Sequence, residues 1–366
     1  MRGWLKGGLI VAGIAVAGAG AAYGLRGHIA MMAMERIYAR AMGDDPYAGL
    51  GDGLHIGLCG SGAPIPDPTR AGPCEAVLAG RRLFVVDAGA GGTKNLSLMN
   101  LPPARVEAIF LTHFHSDHID GLGELMLQRW GGGAATAPVP VYGPTGVDSV
   151  VNGFMAAYAL DRGYRIAHHG PRVMPPSGFG GAPHPFAIDR ASPNVVLIDD
   201  GGLKVTAFPV GHGPVEPAVG YRFDYKGRNL VISGDTAPSA RLGATAKGVD
   251  LLAHEGLAPN LVDVQHRAAV AAKRDNLAAV THDISSYHTS PEAAAGIAQR
   301  AGVRYLLFEH IIPAVPFEAL EGPWLGRSRQ IFHGTVRVGR DGDFVSLPVG
   351  TTEIRRTNRL KAFQWP

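Results

Sequence analysis

The chain has 366 residues, 46% of them hydrophobic, enough for one large core or two small ones. With 34 basic against 31 acidic residues, its formal net charge of +3 excludes binding driven by bulk charge, while leaving nucleic acid open as a partner. The 51 glycines and 27 prolines favour tight turns over long helices.

Arg2 and Lys6 precede an apolar run, Gly7–Leu25. About 19 residues of this kind can span a bilayer. The stretch Ala17–Ala22 is Ala-x-Ala-like and would permit cleavage. Residues 1–30 are therefore expected to be a signal peptide or an N-terminal membrane anchor, with a retained anchor favoured. The protein is expected to be exported, periplasmic or membrane-anchored. Residues 31–53 read as a helical linker: Met31–Met42 has helical spacing and Gly43–Gly53 is rich in Gly, Asp and Pro. Two cysteines follow, Cys59 and Cys74, expected as buried thiols; an oxidising compartment would permit a disulfide instead.

Strands dominate next: Leu54–Cys59, Glu75–Ala79, Arg82–Asp87 and Val106–Thr112. Lys94–Asn100 and His118–Trp130 read as helices, and Val139–Tyr142 as a short strand. Thr145–Leu160 reads as a helix that a threonine could cap. Residues 161–194, rich in Gly, Pro and His, look like an irregular insertion that could cover substrate, with His168 and His169 in it. A second strand set comprises Val195–Ile198, Leu203–Val210, Ala218–Tyr225, Asn229–Ser233 and Asp250–Ala253. Leu261–Val280 and Pro291–Ala301 have helical spacing, and Val303–Phe308 is a strand. Thr335–Val338 and Phe344–Leu347 suggest a final hairpin around Asp341-Gly342, ahead of a basic peripheral tail, 351–366. Strands followed by helices occur twice between 54 and 350, which predicts two sheets packed face to face with helices outside.

The chemistry concentrates in His113-Phe114-His115-Ser116-Asp117-His118, at the end of a strand. Alternating His113 and His115 can turn two imidazoles to one ion, while Asp117 and His118 face a second. His212, Asp235 and His310 each follow an apolar run with Gly or Pro nearby. The expected site places His113, His115 and His212 on one metal and Asp117, His118 and His310 on the other, with Asp235 bridging. Nitrogen and oxygen donors without thiolate suit zinc, manganese or iron, so two divalent ions, Zn2+ by default, are expected. Asp87, closing a strand, is expected to hydrogen-bond a metal-binding His or the motif loop. Gly89-Ala90-Gly91-Gly92 lacks the Lys-Ser/Thr ending of a phosphate loop and reads as a tight turn.

The His113–His118 motif, His212, Gly234-Asp235-Thr236 and His310 together resemble the metallo-β-lactamase superfamily. That resemblance implies an α+β fold, a four-layer αββα sandwich with two metals at one edge of the sheets. His288-Thr289-Ser290-Pro291, His254-Glu255 and Gly211-His212-Gly213-Pro214 resemble the ribonuclease Z and arylsulfatase branch. His310-Ile311-Ile312-Pro313 looks more like the arylsulfatase and phosphodiesterase-like members. Asp117, His288 and Glu255 are expected to take part in catalysis, His288 as proton donor to the leaving oxygen or as a group binding that oxygen, and Glu255 orienting it, as the resemblance to ribonuclease Z implies. A small-molecule sulfate or phosphate ester is the first expectation for substrate. The alternatives are a ribonuclease Z-like RNA endonuclease, which would call for a basic arm not seen here, and a lactamase or lactonase. A membrane partner follows if the N-terminal segment is retained, and an oligomer is compatible with the sequence.

Overall fold

The computed structural model describes residues 2–43, 45–188 and 193–360, with the backbone alone over residues 2–17, 19, 21, 22, 40 and 41. Two compact units, Met1–Gly49 and Leu50–Pro366, divide the chain. The first is a single helix, Arg2–Gly43, running without a break through the expected leader and linker helix. Most side chains of the run Gly7–Leu25 lie outside the described residues, and no helix among the described residues is long and apolar enough to cross a membrane.

Among its described residues the second unit holds fifteen strands: β1 (Gly53–Gly60), β2 (Cys74–Ala79), β3 (Arg82–Val86), β4 (Val106–Phe110), β5 (Val139–Pro144), β6 (Gly181–Phe186), β7 (Val195–Asp200), β8 (Leu203–His212), β9 (Val215–Tyr225), β10 (Arg228–Ile232), β11 (Leu251–Leu257), β12 (Tyr305–Ile312), β13 (Thr335–Val338), β14 (Asp343–Pro348) and β15 (Arg355–Asn358). One sheet has the order β15, β14, β1, β2, β3, β4, β5, β6 and the other β13, β12, β11, β10, β9, β8, β7. Both are mixed: β3, β4, β5 and β6 run parallel in the first, and β10, β11, β12 and β13 in the second.

The apolar runs of β1, β11 and β12 are buried at every residue, because each strand is covered on both faces. Leu54 and Ile56 from β1, Phe84 from β3 and Phe110 from β4 meet Val205, Tyr221, Phe223 and Leu307 of the opposing sheet. The rings of Phe110 and Phe223 pack edge to face at 5.7 Å. On the far side of the second sheet, Phe208, Val231, Leu252 and Leu306 pack on Ala294, Ala295 and Ala298 of helix Pro291–Ala301. Ser290 starts that helix by accepting from the Ala293 N–H, with Pro291 in its first turn, and Gly302 ends it at φ 68°. Helices Leu122–Gly133 and Val147–Ala157 cover the first sheet, completing the α+β sandwich of helix, sheet, sheet and helix.

Several local expectations fail for identifiable reasons. Gly146, not a threonine, holds the N-cap of Val147–Ala157, at φ 110°. The expected irregular insertion contains helix Ala159–His169 and strand β6; residues 189–192 of it lie outside the described residues. The run Leu261–Val280 splits into helices Pro259–Ala271 and Asp275–Asp283, around Lys273 at φ 54°. No hairpin forms at Asp341-Gly342. There β13 pairs with β12 in one sheet and β14 with β1 in the other. Asp341 instead accepts from the Ser61 and Ala71 N–H groups at 2.9 and 2.7 Å, tying the loop after β1 to the crossover. The tail adds a strand, β15, against β14; residues 361–366 lie outside the described residues. Cys59 and Cys74 are not free thiols but form a disulfide. The register slips between Leu58 and Gly60, which leaves Cys59 beside Cys74 with Cα atoms 5.0 Å apart.

Candidate metal centre

Most donors of the expected site stand at or just beyond the end of a strand. The chain leaves β4 at Phe110 and reaches His113, and helix Ser116–Ile119 then presents Asp117 and His118. His212 is the last residue of β8. Asp235 follows β10 through Gly234, at φ 58°, where a Cβ would lie 2.8 Å from the Val219 carbonyl oxygen. His310 lies inside β12, where Glu255 pairs with Glu309 but Gly256 pairs with Ile311. His310 is the extra residue of this bulge, at φ 43°, a conformation costing about 1–3 kcal/mol in a non-glycine residue. The bulge turns its imidazole towards the residues from the other sheet.

Two donor sets converge. His113 Nε2 lies 2.9 Å from His115 Nδ1, which lies 3.3 Å from His212 Nε2. Asp235 Oδ2 closes this set at 3.9 Å from His113 and 3.7 Å from His212. In the second set, Asp117 Oδ2 is 3.5 Å from His118 Nε2 and 3.3 Å from His310 Nε2. Asp235 faces this set as well, with Oδ1 3.4 Å from His118 and Oδ2 3.4 Å from His310. Donors about 2.1 Å from a tetrahedral ion stand roughly 3.4 Å from one another. The observed edges bracket that value, so the residues fit two metal ions sharing Asp235.

Orphaned atoms give the same answer. His118 Nε2 and Asp235 Oδ1 are buried and have no hydrogen-bond partner. An unpaired polar atom in such a place is costly unless something binds it. Charges point the same way. Burial disfavours the charged His118, yet Asp235 and Asp87 hold its imidazole well above the ordinary histidine range. His310, against the same burial, is held at about 9 by Asp235 and Asp117. Burial opposes ionisation of Asp235 too, and His310 and His118 outweigh it. The carboxylates of this cluster thus attract positive charge strongly. By contrast, burial and then the neighbouring His118 depress His113, leaving a neutral imidazole suited to ligation.

The ring orientations are fixed from behind. His118 Nδ1 donates to Asp87 Oδ2 at 2.7 Å, and the same carboxylate accepts from the Thr112 N–H and hydroxyl. His113 Nδ1 is 3.1 Å from the Thr112 hydroxyl. His212 Nδ1 donates to the Tyr287 carbonyl at 3.1 Å. Each bond commits one ring nitrogen and leaves Nε2 facing the centre. The role expected for Asp87 is thus placed on His118, whereas the Thr112 hydroxyl and Tyr287 carbonyl were not foreseen. A backbone carbonyl leaves no mark in a sequence.

Glu255 and His288 are also brought together, His288 Nδ1 lying 3.3 Å from Glu255 Oε2. The other Glu255 oxygen accepts from the Thr289 N–H at 2.7 Å. His288 offers a ring nitrogen within 4.8 Å of donor atoms of Asp235 and His310. His254 is not at the centre: its Nδ1 donates to the Glu255 carbonyl at 2.8 Å within the core. His168 and His169 end an exposed helix and join no donor group. Gly89 serves packing, since a Cβ there would lie 2.4 Å from the Asp117 carbonyl oxygen.

Comparison with known proteins agrees with this arrangement. Residues 82–311 match the family described as the beta-lactamase superfamily domain. Ribonuclease Z of Mycobacterium avium is 35% identical over 291 residues, 79% of this chain and 96% of that protein. Ribonuclease Z of Mycobacterium marinum is 34% identical over 290 residues, again 79% of this chain and 96% of the relative. Among solved structures, the short form of human tRNase Z superposes with a TM-score of 0.58 at 23% identity, covering 81% of this chain and all (100%) of that one. The metallo-beta-lactamase fold protein YhfI from Bacillus subtilis does so at 0.55 and 18% identity, with coverage of 81% and 100%. The chain thus belongs to the beta-lactamase superfamily, with ribonuclease Z among its relatives, and is a metal-dependent hydrolase of ester bonds with a dinuclear site.

Proposed function

We propose that this chain hydrolyses phosphodiester bonds, with RNA as its substrate class. The observation that carries the bond type is the pair of donor sets sharing Asp235, with His288 beside them. RNA is supported by the ribonuclease Z relatives, matched over 96% of their length. In this reading His113, His115 and His212 would hold one ion, Asp117, His118 and His310 would hold the other, and Asp235, which faces both sets, would be shared. Zinc is the default metal and manganese or iron the alternatives. Two such ions supply Lewis acidity and lower the pKa of water.

The chain's own residues do the rest. Asp87, Thr112 and the Tyr287 carbonyl keep three imidazoles in the ligating tautomer. Glu255 fixes His288, which delivers a proton to the departing oxygen; Glu255 is thus a positioning residue. Six of the seven donors are buried and His115 is exposed, so the centre opens to solvent on one side while most of its charges are weakly screened.

A second reading, a small sulfate or phosphate ester met outside the cytoplasm, is favoured by one observation. Cys59 and Cys74 are bonded, and disulfides persist in oxidising compartments. Together with Arg2, Lys6 and the apolar run behind them, this supports the proposal that the protein is exported and held by its N-terminal segment.

Metal content by plasma mass spectrometry and a substrate panel decide the matter. Bis(p-nitrophenyl) phosphate and precursor tRNA should be cleaved, and p-nitrophenyl sulfate and nitrocefin left intact. Chelation should abolish turnover. Cleavage of the sulfate but of neither diester would replace the first reading with the second.

A further inference from the structure

Helix Ala159–His169 follows a helix that covers the first sheet, yet none of its own 11 residues is buried. Its two faces are reversed. Leu160, Gly163, Tyr164 and Ala167 fall at i, i+3, i+4 and i+7, which makes one apolar face, and all four are exposed. Asp161, Arg162, Arg165 and Ile166 form the opposite side, and these are the half-buried ones. Leu160 is 71% exposed and Tyr164 60%. Val173, in the turn beyond the helix, is exposed as well.

Named contacts hold the reversal. Arg162 donates to the Pro176 carbonyl at 3.2 Å, and its guanidinium lies 5.4 Å from the centre of the Phe179 ring. Phe179 packs edge to face on the buried Trp130. Arg165 donates to Asp161, one turn back, at 2.6 Å. The charged side is thus fastened to the body, and the apolar side cannot turn inward without breaking these contacts. Scattered exposed apolar residues are ordinary, but an apolar stripe turned outward on a helix marks a surface that meets something.

Charge says what it meets. Residues 149–173 hold one carboxylate side chain, Asp161, and Arg165 occupies it. Arg172, His168 and His169 are exposed at the end of the helix, and Arg172 has no ion-pair partner among the described residues. Leucine and tyrosine on one face beside a basic border suit a helix lying in the headgroup region of a bilayer. A second copy across a two-fold axis would set this basic border against itself. The apolar run at 7–25 also stands a short connection ahead of the second unit, so a bilayer that took up the run would keep this unit within reach.

We propose that the outer face of helix Ala159–His169 seats the second unit on an anionic lipid surface. Leu160, Tyr164 and Val173 enter between the headgroups, and Arg172 pairs with lipid phosphate. No residue of this face belongs to the metal-donor sets, so the contact stands apart from the choice of substrate.

The full chain offers a local test. Cys59 and Cys74 are bonded to each other, so Leu160→Cys would put a reactive thiol on the face, and Lys247→Cys would put one at an exposed position elsewhere. A nitrobenzoxadiazole probe at 160 should shift to the blue on vesicles of equal parts phosphatidylcholine and phosphatidylglycerol, and brominated acyl chains should quench it. The probe at 247 should stay aqueous. Arg172→Ala should lower the ratio of lipid-buried to aqueous probe at 160 by about fivefold. An aqueous probe at 160 on chains that co-sediment with the vesicles would overturn the seat and leave an N-terminal anchor standing. Failure to co-sediment would overturn both. A blue shift that appears without lipid and grows with protein concentration would assign the face to a second copy and overturn the lipid contact.

Discussion

Asp87 Oδ2 accepts from His118 Nδ1 at 2.7 Å, and both residues are almost wholly buried. Asp87 itself sits at φ 53°, a strained angle that the turn after β3 holds in place. Its substitution by Asn keeps the shape but removes the charge that orients His118. Asp87→Asn should weaken binding of one ion by about 10–100-fold. Competition with a chromophoric chelator would read one weakened and one unaltered site, and two unaltered sites would remove the role given to Asp87.

Asp235 faces both donor sets, so its loss should reach further than loss of any single imidazole. Asp235→Ala should lower kcat by roughly a thousandfold or more and reduce the metal count. A variant that retained two ions and its rate would show that Asp235 does not bridge.

His288 is predicted to matter in proportion to the basicity of the leaving group. His288→Ala should slow an alkyl diester by about 10²–10⁴-fold and a p-nitrophenyl diester far less, since nitrophenolate departs without a proton. Equal losses on both substrates would assign His288 to binding instead.

His55 on β1 predicts an acid limb of stability away from the centre. Burial holds its imidazole down at about 4, against an ordinary 6.5, and its ring stacks on Phe344 at 5.7 Å. A depressed histidine stabilises the fold fully above the unfolded value. That stability drains away as pH falls from 6.5 towards 4, because the unfolded chain takes up the proton first. The loss amounts to roughly 3 kcal/mol. Urea titrations at several pH values should show a flatter acid limb for His55→Phe than for the wild type, and parallel curves would refute the assignment.

The Cys59–Cys74 bond closes a loop with a sequence separation of 15. Its removal should cost about 3 kcal/mol through freedom regained by the unfolded chain. Calorimetry of the Cys59→Ser, Cys74→Ser double variant should show a lower Tm, insensitive to dithiothreitol. An unshifted Tm would mean that the bond adds nothing to the fold.

The residues of the centre were legible because imidazole and carboxylate donors recur at or near strand ends, which the two sheets bring to one edge. His113, His212, Asp235 and His310 obey that rule even though almost two hundred residues separate the first from the last. What stayed hidden depends on partners in space. The bulge at His310 exists only against β11. The split between β13 and β14 reflects Asp341, which binds the loop after β1 better than it serves a two-residue turn. The helix break at Lys273 lacks a glycine or proline to announce it. The disulfide depends on a register slip that composition does not record.

Of the seven donors, four come from the segment after β4 in one sheet and three from β8, β10 and β12 in the other. Any ion held by both groups therefore rivets the two halves of the sandwich at their rim. Loading with metal should raise the melting temperature of the whole body and slow amide exchange along that rim, so the reagent that drives chemistry also serves as the clasp of the fold.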